Sequence, residues 1–369
     1  MKKVFSNTLF VFFSTIIALL LAEAFLRLTR PHNAFFPLEP NLHVEETFHA
    51  AHIFPGLNET FTYTTNSEGY RSFNKFSPNR VGILALGGST TECLILGDQY
   101  IWTNLLEEKL NTSSTKKFTI GNVGASGLNS YHHLMQLQVL QKKYSGLKAI
   151  MVLVGVNDFL SDLNNAKQVR DSVSTLKNSF KLYPRALKGN WFKRTEIYMH
   201  LRQVKNNWLN NRFYDKDVII SNIADYRQDL KNLEPVLPLP DLSENLLQYE
   251  RNIDQLYNLC LQNDLELILV TQPVLWHENM SGYEWQLTAT GIMKLGNKTY
   301  SPAAYATGME MYNDVLRGFE GKEKVSLVDL STELPKDTTV FFDFCHFNIS
   351  GSQKVADVIF SKLLNKFTP

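Results

Sequence analysis

The stretch Val81-Gly82-Ile83-Leu84-Ala85-Leu86-Gly87-Gly88-Ser89-Thr90-Thr91 decides how this chain is to be read. Its first six residues are apolar or glycine, a run too short for a membrane helix and too continuous for a strand with one wet face. The paired glycines mark a tight turn, and Ile101, Trp102, Leu105, Leu106 and Leu110 follow at helical spacing. Strand, turn and helix in that order recur, with further apolar runs at 118–123, 149–154, 265–270 and 325–328. Tyr249, Ile253, Leu256 and Cys260 form a helical stripe before the fourth run, and Val355, Ile359 and Leu363 form another after Ser350. Such strands separated by helices predict a doubly wound α/β fold, a parallel sheet covered on both faces. The ligand crevice of such a sheet lies at the carboxyl ends of its strands.

Composition narrows the function classes. Of 369 residues 44% are hydrophobic and 20% charged, the balance of a globular chain rather than a disordered or polytopic one. Thirty-seven Lys and Arg against 36 Asp and Glu leave a net charge of +1, without the basic footprint of a nucleic-acid binder. Cys93, Cys260 and Cys345 stand far apart with no CxxC pair, which argues against a disulfide framework and a thiolate zinc site.

The amino terminus reads as an export or anchoring segment. Lys2 and Lys3 precede an uncharged stretch from position 4 to 22, and Arg27 and Arg30 follow it. A helix of about 20 residues crosses the roughly 30 Å hydrocarbon layer, so the stretch can span a bilayer with the rest of the chain exported. Ala22-Glu23-Ala24 also has the small-x-small pattern of a signal cleavage site, so a secreted product is the alternative to the preferred single-pass anchor. The predicted organisation is an anchor or signal over 1–30, a membrane-proximal lead-in over 31–78, and an α/β domain over 79–369 interrupted by an insertion at about 164–243 that ends in Pro235, Pro238 and Pro240.

Four short motifs fall at predicted strand ends: Gly87-Gly88-Ser89-Thr90, Asn122-Val123-Gly124-Ala125-Ser126-Gly127, Gly155-Val156-Asn157-Asp158 and Asp343-Phe344-Cys345-His346. Singly each is an ordinary turn. Jointly they supply a reaction centre, because a serine hydroxyl needs an adjacent base and the base needs a group that fixes its tautomer. Ser89, His346 and Asp343 are those three. An oxyanion formed on attack needs preorganised donors, for which the Ser89 and Gly127 backbone N–H groups and the Asn157 side-chain amide are the candidates.

This constellation resembles the SGNH/GDSL hydrolase family, in its membrane-anchored bacterial form, over about 81–367 without the insertion. The resemblance implies a flavodoxin-like three-layer α/β/α sandwich. It also implies a serine-dependent hydrolase of ester bonds at the cell envelope, acting without metal or cofactor on an acylated small molecule, lipid or glycan. The usual GDS is GGS here, with Gly88 in place of the aspartate. Two alternatives use the same fold: an acyltransferase passing the acyl group to an envelope glycan, and a catalytically silent envelope-binding protein. An α/β-hydrolase elbow, GxSxG, is disfavoured because Thr91 holds the second glycine's place, and no GxxxxGK[ST] or GxGxxG loop is present to bind a nucleotide.

Other residues carry weaker expectations. Asp158 is read as orienting Asn157 or as a solvated turn carboxylate, His277 and the pair His132-His133 as structural, and Cys345 as a small buried thiol. Trp285, Tyr300 and Tyr305 are read either as a face for a sugar ring or acyl chain or as packing under a long loop.

Overall fold

The computed structural model describes residues 2–29, 35–164, 178–180, 195–198, 200–201 and 216–367. They belong to two units, one of Met1–Phe35 with Leu182–Phe213 and one of Phe36–Lys181 with Tyr214–Pro369. In the first, α1 (Lys2–Thr29) is a helix whose segment Asn7–Thr29 has a mean hydropathy of 2.4 and is nowhere buried. Phe10, Leu21 and Leu28 are among its exposed apolar side chains. A helix that is apolar all round and unburied among the described residues has the length and composition to cross a membrane, as an anchor or a signal sequence does.

The second unit begins with an antiparallel ribbon, β1 (His43–Thr47) and β2 (Thr60–Thr64). The lead-in shows no clear period as sequence, yet β2 alternates Thr60, Thr62 and Thr64 with buried Phe61 and Tyr63. Those two rings pack with Phe48 and with Ile223 of a helix from the insertion. The α/β body follows: β3 (Val81–Gly87), α2 (Ser89–Glu92), α3 (Trp102–Ser113), β4 (Phe118–Asn122), α4 (Ser130–Leu140), β5 (Leu147–Leu153) and α5 (Val156–Leu163). After residues outside the description come α6 (Lys216–Lys231), β6 (Glu234–Leu237), α7 (Ser243–Gln262), β7 (Glu266–Val270), α8 (Gly282–Leu287) and β8 (Lys298–Tyr300). The body ends with α9 (Pro302–Arg317), β9 (Val325–Val328), α10 (Leu330–Glu333) and α11 (Ile349–Phe367).

All five predicted strands form one parallel sheet in the order β4-β3-β5-β7-β9. Counted within the sheet this is 2-1-3-4-5, the flavodoxin-like order. The strands are apolar on both sides because both faces are covered: Ile83, Ala85, Met151 and Ile268 pack with Trp102 and Leu106 of α3 and Val355 and Ile359 of α11. Leu84, Leu86, Val152 and Leu269, pointing the other way, are equally buried. The chain leaves β3 toward β4 on one side and returns to β5 on the other, so a crevice opens between the carboxyl ends of β3 and β5. Within the expected insertion, Pro235 sits in β6, which pairs in parallel with β8, so this end of the segment is part of the second unit. The stretches 165–177, 181–194 and 202–215 lie outside the described residues.

Helix starts are set locally. Asn129 caps α4 with a reciprocal bond to His132, and Ser301 caps α9 with Pro302 at its first position. At the start of α11, Gly351 lies against the Val340 carbonyl, and a Cβ there would meet that oxygen at 2.0 Å. Gly351→Ala should therefore lower the unfolding free energy by about 1–3 kcal/mol through overpacking. Urea titration of the purified full-length protein measures this, and an unchanged midpoint would refute it.

Candidate active site

Ser89 is the first residue of α2, immediately beyond the end of β3 and half-exposed at the crevice. Its Oγ lies 2.7 Å from Nε2 of His346. On the other side of the ring, Nδ1 lies 2.7 Å from Asp343 Oδ2. The second carboxylate oxygen, Oδ1, accepts the backbone N–H groups of Cys345 at 3.0 Å and His346 at 2.8 Å. Asp343 is thus fixed by its own loop, and the tautomer it selects, Nδ1–H, leaves Nε2 free to accept the Ser89 proton.

The loop is closed by an antiparallel bridge between Phe341 and Phe347 and by the Phe342 N–H donating to the His346 carbonyl. Phe342 lies parallel to the imidazole, and Phe344 meets it edge-on. Phe344 in turn stacks on Trp276, and Trp276 on Tyr305. Trp276 and Tyr305 are fully buried and Tyr300 nearly so, which decides between the two readings of the aromatic stretch: both tyrosines are packing that backs the histidine loop, with Trp285 half-buried against Tyr305.

Burial opposes the charged imidazolium, but the Asp343 carboxylate outweighs it and holds His346 well above its ordinary value. Burial pushes the Cys345 thiol up to about 11, so it stays protonated at neutral pH. Asp343, Cys345 and His346 bring their ligand atoms within 4.8 Å of one another, the geometry of a small metal site. In this structure Asp343 Oδ2 and His346 Nδ1 are committed to each other.

The three candidate oxyanion donors come from adjoining turns. The backbone N–H groups of Ser89 and Gly127 donate to no acceptor among the described residues. Gly127 has φ +79°, and a Cβ there would meet nothing, so its glycine is required by backbone conformation rather than by crowding. Asn157, second in α5, donates one amide hydrogen to the Leu128 carbonyl at 2.7 Å, which leaves the other to be offered elsewhere. A Cβ on Gly88 would stand 2.4 Å from the Asn157 amide nitrogen. That amide therefore lies against Gly88, and a side chain at position 88 would displace it.

Sequence reasoning missed the group that holds the turn carrying Ser89. Arg71, from the lead-in, is fully buried and donates to the carbonyls of Glu92 at 2.6 Å, Cys93 at 3.0 Å and Leu96 at 3.1 Å. It also bonds Asp98 through Nε and Nη2, the latter at 2.6 Å, and lies over the Tyr63 ring. Cys93, which ends α2, has the left-handed φ of +50°, unfavourable for a side-chain-bearing residue by about 1–2 kcal/mol and stabilised here by the guanidinium on its carbonyl. Glu92 reaches the other way and accepts both the N–H and the hydroxyl of Ser126 at 2.6 Å. Asn122 donates to the Thr91 carbonyl at 2.6 Å and accepts from the Gly124 N–H.

Asp158 neither orients Asn157 nor meets solvent. It is buried, accepts from the N–H and hydroxyl of Ser130, and is pushed up to about 7 by that burial. Its work is to tie α5 to the start of α4, with Asn252 completing the chain through the Ser130 hydroxyl. His132 belongs to the α4 cap, and buried His133 is pushed down to about 3. His277 stands 3.9 Å from Glu284, in the loop that follows β7.

No protein-family model and no curated protein matches the chain. Among solved structures, one similar to it is a single-residue variant of an acetyl-xylooligosaccharide esterase from Geobacillus Stearmophilus, at 12% identity and TM-score 0.43, covering 78% of this chain and 96% of that one. An acetyl xylan esterase is similar at 12% identity and TM-score 0.41 over 76% and 98% of the two chains. A putative platelet activating factor protein from Streptococcus pneumonia is similar at 15% identity and TM-score 0.40 over 80% and 86%.

Removing Arg71 would strand a buried carboxylate and three carbonyls, so Arg71→Ala should cost about 3–5 kcal/mol of stability. Arg71→Lys should recover only part, because one ammonium cannot replace a planar fork of five donors. Urea unfolding of both variants tests this, and a loss below about 1 kcal/mol for the alanine variant would contradict it.

Proposed function

We propose that this protein is a serine-dependent ester hydrolase of the SGNH/GDSL type, with Ser89 as nucleophile, His346 as general base and then acid, and Asp343 as the group that orients the ring. The observation that carries the reading is the unbroken hydrogen-bonded chain from Ser89 Oγ through both nitrogens of His346 to Asp343. Ser89 Oγ attacks the ester carbonyl carbon while its proton passes to Nε2 of His346. The tetrahedral oxyanion takes hydrogen bonds from the Ser89 and Gly127 N–H groups and from the second amide hydrogen of Asn157. Collapse expels the alkoxide, which takes the proton back from Nε2, and water repeats the sequence on the acyl-Ser89.

The domain boundaries follow the same reading: an anchor or signal over 1–30, a lead-in over 31–78 and the hydrolase domain over 79–369 with an insertion at about 164–243. The apolar helix Asn7–Thr29, preceded by Lys2 and Lys3, supports a place at the cell envelope, with the hydrolase exported and its substrate an acylated lipid, glycan or small molecule.

Ser89→Ala should abolish turnover of an activated ester and labelling by a fluorophosphonate while leaving the thermal midpoint nearly unchanged. Labelling that survives in the variant would defeat the assignment. Asn157→Ala should lower kcat by about 10²–10³, as loss of one oxyanion donor does, and activity within twofold of the parent would remove Asn157 from the site.

The pH dependence has a fixed sign. His346 must be neutral to accept the serine proton, and its pKa is raised above 6.5, so kcat/KM should fall as pH drops through that raised value. Asp343→Asn removes the raising charge and should move this acid limb to lower pH while lowering the plateau. A limb that stays in place would rule out the pairing.

A further inference from the structure

A cavity of about 190 Å³ adjoins Ser89 and His346. The run Cys93, Leu94, Ile95 and Leu96 lines it, together with Phe342 and Phe347. The hydroxyls at its edge are already engaged, Thr90 with Gln272 and Ser126 with Glu92. Outside the catalytic trio, then, the described residues that line the cavity offer no charged group and no unengaged hydroxyl. A sugar ring seated there would bury hydroxyls without partners, at a cost of about 1–3 kcal/mol each, whereas an alkyl chain loses nothing. The wall is also stiff. Arg71 holds the carbonyls of Glu92, Cys93 and Leu96, so the run cannot swing back without breaking buried charge-assisted bonds.

We infer that the ester taken by this site carries a linear alkyl group, seated between the run Cys93 to Leu96 and the pair Phe342 and Phe347. An apolar cavity of about 150 Å³ accommodates a six-carbon ring, so the space here suits a chain of about four to eight carbons. The inference rests on the esterase reading and specifies its substrate. The cavity touches both Ser89, which retains the acyl group, and His346, which returns the proton to the leaving alcohol, so the chain belongs to the acyl half or to the alcohol half of the ester.

The test uses the full-length chain in lipid nanodiscs and has two arms. One follows p-nitrophenyl esters from acetate through butyrate, hexanoate and octanoate to dodecanoate; the other follows acid release from ethyl, butyl, hexyl, octyl and dodecyl acetates. In one arm kcat/KM should climb about fourfold per added CH₂, the equivalent of roughly 0.8 kcal/mol for a buried methylene. It should peak at about six carbons and fall by dodecyl, and the arm that climbs identifies the half of the ester. Leu94 stands at the cavity mouth and is partly exposed. Leu94→Trp should lower the six-carbon to two-carbon ratio about tenfold, and Leu94→Ala should move the optimum to longer chains, with fluorophosphonate labelling of Ser89 reporting that each variant is folded. Two-carbon groups preferred in both arms by a protein that still labels at Ser89 would overturn the alkyl pocket and leave the esterase standing. A climb that continues to dodecyl, or a profile unmoved by both Leu94 variants, would also overturn it. Absence of labelling and of turnover in both arms would end the two readings together.

Discussion

A hydrogen bond of 2.7 Å between the Ser89 hydroxyl and the His346 ring joins positions 257 residues apart, and the two ends of that bond are held by different physics. Ser89 is held by the sheet: β3 is buried on both faces, its register with β4 and β5 is fixed, and its last residues leave Ser89 at the crevice. His346 is held by a loop that carries its own reinforcement, with both oxygens of Asp343 occupied, a two-residue bridge closing the loop and an aromatic stack behind it. A contact whose geometry must be good to a few tenths of an ångström needs rigidity at both ends, and the parallel sheet alone supplies it at only one.

The body of the fold was legible because its signal is local and repeated. Apolar runs such as Val81 to Leu86 and helical stripes such as Tyr249, Ile253, Leu256 and Cys260 record burial in the sequence itself, and all five predicted strands align in one sheet. The ribbon of β1 and β2 was not legible. Each strand has five residues, and β2 buries only Phe61 and Tyr63, too short an alternation to stand above background.

The same distinction separates the parts of the site. Ser89 could be nominated because it follows an apolar run and a glycine pair, and Asp343 and His346 because they stand three residues apart in one short motif, whereas Arg71 lies in the lead-in, which shows no clear period. Nothing local marks an arginine for burial, since the reason is the cluster of carbonyls at Glu92, Cys93 and Leu96 that only the folded chain brings to it. Asp158 was misread for the complementary reason. Next to Asn157 in a turn motif it looks exposed, but its partner Ser130 lies 28 positions earlier, at the start of a different helix.

The glycine at position 88 is explained by the same long-range logic. A side chain there would begin 2.4 Å from the Asn157 amide, which is itself fixed by the Leu128 carbonyl. With any larger residue, Asn157 would have to give up that carbonyl or the backbone of the nucleophile turn would have to move. Gly88 and the position of Asn157 are therefore one choice rather than two. In this chain the space that a side chain at position 88 would fill is given to the Asn157 amide, which sets a hydrogen-bond donor against the turn that carries Ser89.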